Sequence, residues 1–420
     1  MNIQIDREEI AKAQKAKRKD TKTEENGILS EDFIGFGTEP EEDQTAVNTA
    51  KSSRVSTLRS KPTAVTSVLR FNVPWMDRKR KYSDLPAEFL HQEIVDFANY
   101  VSPTEEERFA RAQAINRLEK LVKDIWPEAQ VHPFGSFDSH LFLPTSDLDV
   151  VILEETMATE VVDEFSKDTF LHKLAKSLAK SDIPLADSIK TVTRARVPII
   201  KYIDRQTDFE VDVSFNVFSG LEAAQFMRKE MSDQPAIRPL TLVLKHFLGM
   251  RALNEVYHGG LGSYSIMCLV ISFLQMHPMV QSGMIRPHEN LGVLLMELLE
   301  LYGLNFNSKV VGIDVRKGGS YIVKEYWGWL RDDKPQLLSI VDPQNDENDI
   351  SKGTFAYNAV RQSFEHALNV LKCAISEFEQ HMQRRREGKA NHMPSILGSI
   401  ITLDHMLLRH RFYIQQTANL

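Results

Sequence analysis

Phe134-Gly135-Ser136, followed ten residues later by Ser146-Asp147-Leu148-Asp149-Val150-Val151, is the most informative part of this 420-residue chain. Gln130 to Phe134 and Ser146 to Leu153 read as strands flanking a turn. Side chains alternate faces along a strand, so Asp147 and Asp149 project to one side while Leu148, Val150 and Ile152 project to the other. The Gly-Ser turn ahead of them offers what a triphosphate needs: a residue without Cβ, a hydroxyl donor and exposed backbone N–H groups. An isolated Asp-x-Asp is most often two surface carboxylates on an exposed strand. A second strand, Phe209 to Phe215, changes that balance, because Phe209, Val211, Val213 and Phe215 form one apolar face and Asp212 falls on the other. Three carboxylates on two strands of one small sheet supply hard oxygen ligands suited to Mg²⁺, which binds through few carboxylates plus substrate phosphates. In two-metal phosphoryl transfer one ion activates the attacking hydroxyl and the other neutralises the leaving oxygens. Asp212 is then the candidate acceptor of the hydroxyl proton.

Around this centre, Ile199 to Ile203 reads as a further strand and Glu164 to Ala179 as a helix between strands. Upstream, Leu85 to Trp126 holds apolar residues at helical spacing in two runs, the second opened by Ser102-Pro103-Thr104-Glu105-Glu106 as a cap with acids in its first turn. From Gly220 onward the pattern is almost wholly helical: Pro239 to Leu248, Tyr264 to Met276, Leu291 to Leu301 and Ala356 to Gln380. The exceptions are a strand-like pair around Gly312 to Val323 and a polar loop from Asp342 to Gly353. Arg384-Arg-Arg-Glu-Gly-Lys389 follows the last helix and reads either as an RNA contact or as a solvated helix end. An apolar segment, Ile396 to Leu408, comes after it.

Composition limits the function. Hydrophobic residues at 42% and charged residues at 26% place the chain among folded globular proteins. A formal charge of −7 is the wrong sign for a protein whose main task is gripping a phosphate backbone. Two cysteines, Cys268 and Cys373, allow neither a disulfide framework nor a cysteine zinc site, and fit a reducing compartment. The thirteen histidines form no zinc-ligand spacing. No apolar run reaches the roughly 18 residues of a membrane helix, and Asp6, Glu8 and Glu9 stand where a signal core would be, so neither membrane insertion nor secretion is expected. Residues 1–70 are polar and charge-segregated, with eight acids and no base between Glu24 and Asp43, and are expected to be disordered apart from a short helix near the start. Lys15-Ala-Lys-Arg-Lys19 within them reads as a nuclear import signal or a solvated tail.

Gly135-Ser136, Asp147-x-Asp149 and the later Asp212 between apolar residues resemble the DNA polymerase beta-like nucleotidyltransferase superfamily. Downstream, Leu242-Val-Leu-Lys245-His-Phe-Leu, Gly259-Gly-Leu-Gly-Ser263-Tyr264-Ser, Asn290-Leu-Gly-Val-Leu-Leu and the segment from Asp342-Pro343 through Asn348-Asp-Ile-Ser-Lys352-Gly-Thr-Phe355 resemble the TRAMP-type nuclear poly(A) RNA polymerases. Pro74-Trp75, Ser102-Pro103 and Ser395 to Ile401 extend the likeness over roughly Phe71 to Thr402. The resemblance implies Asp147, Asp149 and Asp212 as catalytic metal ligands and Gly135 and Ser136 as triphosphate contacts. It implies Gly220 on the ribose side, Lys245 on the nucleotide phosphates, and Ser263 and Tyr264 on phosphate and base. Gly220 also reads as a plain turn, Lys245 as a snorkelling surface lysine and Tyr264 as helix core. Asn348 stands where uridylyl-adding relatives tend to have histidine, and an amide that donates and accepts at an adenine edge favours ATP. Lys352 replaces a frequent arginine, a compact ammonium for a planar fork.

The expectation is an α/β nucleotidyltransferase (polymerase beta-like) domain with a mostly α-helical central domain and a disordered N-terminal tail. Its bounds are 1–70 for the tail, 71–127 for N-terminal helices packing with the central domain, 128–219 for the catalytic domain, 220–380 for the helical nucleotide-recognition domain, and 381–420 for a basic segment and an apolar helix. The resemblance implies template-independent addition of AMP from ATP to RNA 3′ ends with Mg²⁺ or Mn²⁺, in the nucleus. It also implies a zinc-knuckle RNA-binding protein and an RNA helicase as partners, feeding tailed RNA to the exosome. The competing readings are a terminal uridylyltransferase or promiscuous nucleotide adder, an inactive scaffold of an RNA-processing complex, and a nucleotidyltransferase acting on a small molecule.

Overall fold

The structure, a computed structural model, describes residues 67–418 apart from 78, 155–163, 194–196, 332 and 404. All but the end of the expected 1–70 tail, including the basic run Lys15 to Lys19, lies outside the described residues. The described chain enters with a short strand, β1 (Arg70–Phe71), and two helices, α1 (Pro86–Val101) and α2 (Glu105–Ile125). Pro86 opens α1, where a missing N–H is no loss. A capping box opens α2: the Thr104 hydroxyl accepts from the Glu107 N–H at 3.2 Å, and Glu107 Oε2 accepts from the Thr104 N–H at 2.8 Å.

A five-stranded sheet follows, in the spatial order β2 (Gln130–Pro133), β3 (Leu148–Leu153), β6 (Glu210–Phe215), β5 (Ile199–Ile203), β4 (Lys190–Val192). β3 and β6 run parallel, in a register that sets Asp149 beside Asp212, and the remaining pairs are antiparallel. Parallel neighbours need a long crossover, which α3 (Glu164–Lys180), β4 and β5 provide. β4 was not expected, because its three residues are all exposed and leave no apolar alternation to read.

The remainder is largely helical: α4 (Phe218–Asp233), α5 (Ile237–Gly249), α6 (Ser263–Met276), α7 (Leu291–Glu300), α8 (Tyr357–Arg386) and α9 (His405–Ala418). The strand-like pair is a hairpin of β7 (Val311–Asp314) and β8 (Ser320–Val323). The expected polar loop after Asp342 is instead a second hairpin, β9 (Val341–Asp342) with β10 (Asn345–Asp349). α8 outruns its expected end by six residues, so Arg384 to Arg386 form its last turn. The apolar segment Ile396 to Leu408 is not one helix: β11 (Pro394–Ser395) and a 3₁₀ turn at Leu397–Ser399 precede α9.

Two apolar cores organise these elements. α1 packs with α5, α6, α7 and α8 in the larger one, whereas Ala114, Ile115, Leu118 and Val122 of α2 pack with Leu148, Val150, Val211 and Val213 of the sheet. α1 thus packs in the helical core and α2 against the sheet. Leu141 and Leu143, between β2 and β3, are buried in the helical core. The segment that leads to Asp147 is therefore anchored to one core and the strand it enters to the other. The segments after β1 and around β11 meet at Glu93 of α1, which is fully buried. Its carboxylate accepts from Trp75 Nε1 at 3.1 Å, from the Ile396 and Leu397 N–H groups at 2.9 and 2.8 Å, and from the Ser395 hydroxyl, beside the β1–β11 pair. Burial pushes its pKa up to about 7 against these donors. Cys268 is buried on α6, and Cys373 is exposed on α8. Among the described residues no helix is long and apolar enough to cross a membrane.

Candidate active site

The sheet brings the three aspartates together. Asp149 and Asp212 face each other across the β3–β6 ladder, and Asp147 precedes β3 on the face of Asp149. Burial, then the charge of Asp212, pushes Asp147 up to about 6; burial, then Asp212 and Asp147, pushes Asp149 up to about 7. One oxygen of Asp212 accepts from Lys201 Nζ at 2.7 Å, while its buried Oδ1 has no hydrogen-bond partner. Burial works against the Lys201 ammonium, but the hydrogen bond and charge of Asp212 outweigh it and hold its pKa above the ordinary value.

Gly135 lies against this group at φ +64°, and a Cβ there would stand 2.3 Å from Asp149 Oδ2. Only glycine fits, both for its left-handed backbone and for the approach of the carboxylate. Ser136 is buried in the helical turn Gly135–Asp138 that begins here. Gly220 serves packing: a Cβ on it would come within 2.5 Å of the Phe134 ring, just ahead of Gly135. Lys245 is no snorkelling lysine. It is 5% exposed, and its Nζ donates to Leu141 O at 3.1 Å and Ser146 Oγ at 3.3 Å. Burial lowers its pKa to about 8 against the opposing pull of Asp149.

Lys201 and Arg111 were not singled out from sequence. Arg111 is fully buried, donates to Pro144 O at 3.1 Å and Ser146 O at 2.7 Å, and lies over the rings of Phe142 and Phe209. It holds the turn that delivers Asp147, and burial lowers its pKa to about 10. A basic residue among the apolar positions of α2 was the available signal. For Lys201 it was a cation on the polar face of Ile199 to Ile203.

A second cluster forms on α6 and the β9–β10 hairpin. Tyr264 OH lies 3.4 Å from Asp342 Oδ1, and Asn348 Nδ2 donates to Asp342 Oδ2 at 2.8 Å. The Gln344 N–H donates to Asp342 Oδ1 at 3.0 Å. The Tyr264 ring packs edge-on to Phe226 of α4 at 6.2 Å, so this cluster is braced by the helix that follows β6. Ser263 opens α6 beside it, half-buried. Lys352 is not brought in by any side-chain contact: it is exposed, its ammonium has no partner among the described residues, and only its backbone N–H is bonded, to Asp349 O at 3.3 Å. Cavities of about 460 Å³ beside Phe71 and His381 and about 270 Å³ beside Phe273 and Tyr321 are lined by none of these site residues.

Among the described residues no three His, Cys, Asp or Glu side chains already stand as a closed ligand set. The donors nonetheless suit a divalent cation. Burial and then the charge of Asp212 raise the pKa of both Asp147 and Asp149, and Asp212 itself has a buried oxygen without a hydrogen-bond partner.

The family described as poly(A) RNA polymerase, mitochondrial-like, central palm domain matches residues 90–229, and the Cid1 family poly A polymerase description matches residues 290–348. Poly(A) RNA polymerase cid14 of Schizosaccharomyces pombe is 40% identical over 80% of this chain and 48% of its own length. Poly(A) RNA polymerase protein 2 of Saccharomyces cerevisiae is 38% identical over 80% of this chain and 56% of its own. This chain thus spans about half the length of these relatives. The inactive non-canonical poly(A) RNA polymerase protein Trf4-2 of Drosophila melanogaster is 36% identical over 77% of this chain and 76% of its own. Among solved structures, the polymerase core of TRAMP, an RNA surveillance complex, is 37% identical over 79% of this chain and 99% of its own, with a TM-score of 0.68. The Cid1 poly(U) polymerase shares the fold, at 21% identity over 68% of this chain and 94% of its own and a TM-score of 0.55. With its strand-borne aspartates and the Tyr264–Asp342–Asn348 cluster on such a framework, the chain belongs to the non-canonical poly(A) RNA polymerases of the TRAMP type.

Proposed function

We propose that this chain adds AMP from ATP to the 3′ hydroxyl of RNA without a template, releasing pyrophosphate. The observation that carries the reading is the register of Asp149 against Asp212 with Asp212 Oδ1 left unpartnered, in a chain 38% and 40% identical to two named poly(A) RNA polymerases. Lys201 holds one oxygen of Asp212 and so fixes the carboxylate that is the candidate acceptor of the attacking hydroxyl's proton. Asp147, Asp149 and Asp212 would hold Mg²⁺ or Mn²⁺. Such ions, two in the scheme favoured here, supply charge neutralisation on the reacting phosphate oxygens. Gly135 admits the triphosphate close to backbone N–H groups, and Lys245 lends a positive charge from behind Ser146. Tyr264 offers a ring to the base. Asp342 accepts only, so the amide of Asn348 turns its NH₂ toward it and is left with an accepting Oδ1, which suits the amino group of adenine better than the carbonyl of uracil.

The same reading carries the partners and setting: a zinc-knuckle RNA-binding subunit and a helicase in the nucleus, with tailed RNA passed to the exosome. Likeness to the solved polymerase core of TRAMP, an RNA surveillance complex, supports a place in such a complex; the two named subunits, the nucleus and the exosome rest on the family resemblance alone. An inactive scaffold is the second reading, favoured by the likeness to Trf4-2 and opposed by retention of all three aspartates. Primer extension separates them: purified protein, labelled oligoadenylate, Mg²⁺ and each NTP in turn, beside Asp147→Ala and Asp149→Ala. ATP-dependent extension that disappears in both variants is expected. Preference for UTP would overturn the adenylyl assignment, and no extension even with the RNA-binding subunit added would favour the scaffold.

A further inference from the structure

A 3₁₀ turn at Val256–His258 comes shortly before Gly262, the residue that caps α6 ahead of Ser263 and Tyr264. Tyr257 at its centre is 83% exposed. The backbone around it is nevertheless fixed: the Gly260 N–H donates to Glu255 O at 2.8 Å, and the Leu261 N–H to Leu253 O at 2.9 Å. His258 Nδ1 lies 3.1 Å from Glu255 Oε2. Gly259, at φ +76°, lies so close to the Phe355 ring that a Cβ would meet it at 2.5 Å. Its carbonyl accepts from the Ala356 N–H at 2.9 Å. The turn is thus pinned to the stretch that follows Asn348 and Lys352, and Phe355 is itself 54% exposed. A Cβ on Gly353 would likewise meet Val256 at 2.9 Å. Two solvent-facing aromatic residues therefore sit on rigid backbone beside the segment that follows Asn348.

The chemistry around them selects the occupant. The cations nearest the catalytic carboxylates are already committed, Lys201 to Asp212 and Lys245 to Leu141 O and Ser146 Oγ, and leave little charge there for a phosphate backbone. RNA brought to these carboxylates is better held by its bases, and an aromatic face stacks on any base without reading it. We infer that Tyr257, with Phe355 packed on the nearby Gly259, is a stacking platform for the terminal bases of single-stranded RNA, holding the 3′ end in place for extension. This rests on the polymerase reading, so binding and extension are measured separately.

The test uses the full chain and an oligoadenylate whose last base is 2-aminopurine, a fluorophore quenched by stacking. Wild type is compared with Tyr257→Ala, Tyr257→Phe and Tyr326→Ala, the last at an 85% exposed tyrosine after β8. Quenching is expected in all but Tyr257→Ala, which should also raise the primer KM by roughly 5- to 30-fold with the KM for ATP unchanged. Undiminished quenching and an unchanged primer KM in Tyr257→Ala would overturn the platform. So would an equal loss in Tyr326→Ala, or a rise confined to the KM for ATP, which would give the tyrosine to the nucleotide. Wild-type quenching without extension would support the platform while counting against the polymerase reading.

Discussion

Asp149 concentrates the electrostatic conflict of the site. Its pKa rises from the ordinary 3.8 to about 7, first through burial and then through Asp212 and Asp147. Between those values the folded state holds a proton that the unfolded state has lost, so stability falls as pH rises from about 4 to 7. Asp149→Asn should therefore abolish extension yet stabilise the ligand-free protein by about 1–3 kcal/mol at pH 7.5, with no gain at pH 4. Thermal melts at the two pH values check this, and Mg²⁺ should raise the melting temperature of wild type but not of the variant. Equal melting temperatures at pH 7.5 would remove the argument for a strained carboxylate group. Asp342 supports a second prediction. Asp342→Asn frees the Asn348 amide to turn over, so the ATP-over-UTP ratio of kcat/KM should fall about tenfold, the worth of one hydrogen bond, with little change in stability. An unchanged ratio would separate Asn348 from base choice. The three aspartates were legible because alternation along a strand assigns faces from spacing alone. Lys201 and Arg111 were not, since the first acts through cross-strand register and the second reaches backbone 33 and 35 residues away.

Between elements, the least legible contact is the closure at Glu93. Pro74-Trp75 and Ser395 to Ile401 stood out as separate motifs, and the structure joins them on one buried carboxylate of α1. No periodicity records such a meeting, because the partners are 302 to 304 residues apart from Glu93 on one side and 18 on the other. Glu93→Ala would leave the Trp75, Ile396 and Leu397 N–H groups buried without acceptors, at about 3 kcal/mol or more. Glu93→Gln keeps one acceptor oxygen and should cost clearly less. Denaturant midpoints for the two variants give the comparison, and equal losses would mean that the charge, not the acceptors, closes the fold. The long amphipathic helices and the apolar strands β3 and β6 were readable from pattern. The exposed edge strand β4 and the β9–β10 hairpin were not, because neither shows an apolar face, and the assignment of α2 to the sheet depends on which of two cores its stripe meets.

For the whole molecule, charge is the governing quantity. The chain carries −7, and the cations nearest the aspartates are committed, Lys201 to Asp212 and Lys245 to Leu141 O and Ser146 Oγ. At the end of α8, Arg386 pairs with Asp84 and Lys389 with Glu387. Little positive charge is thus left beside the aspartates to neutralise a phosphate backbone, and base stacking has to supply much of the hold on the RNA end there. Each phosphate neutralised on a single strand contributes about −0.7 to the slope of log affinity against log salt. For this chain alone on oligoadenylate the slope should be shallower than about −2, fewer than about three phosphates. Fluorescence anisotropy across a salt series measures it. A slope near about −5 would require some seven phosphate contacts; if Arg384→Ala and Arg385→Ala then flattened it, the end of α8 would be an RNA track and not a solvated terminus. If the slope is shallow alone and steepens when a basic RNA-binding subunit is added, the missing charge is supplied by the partner, as the acidic balance of the chain requires.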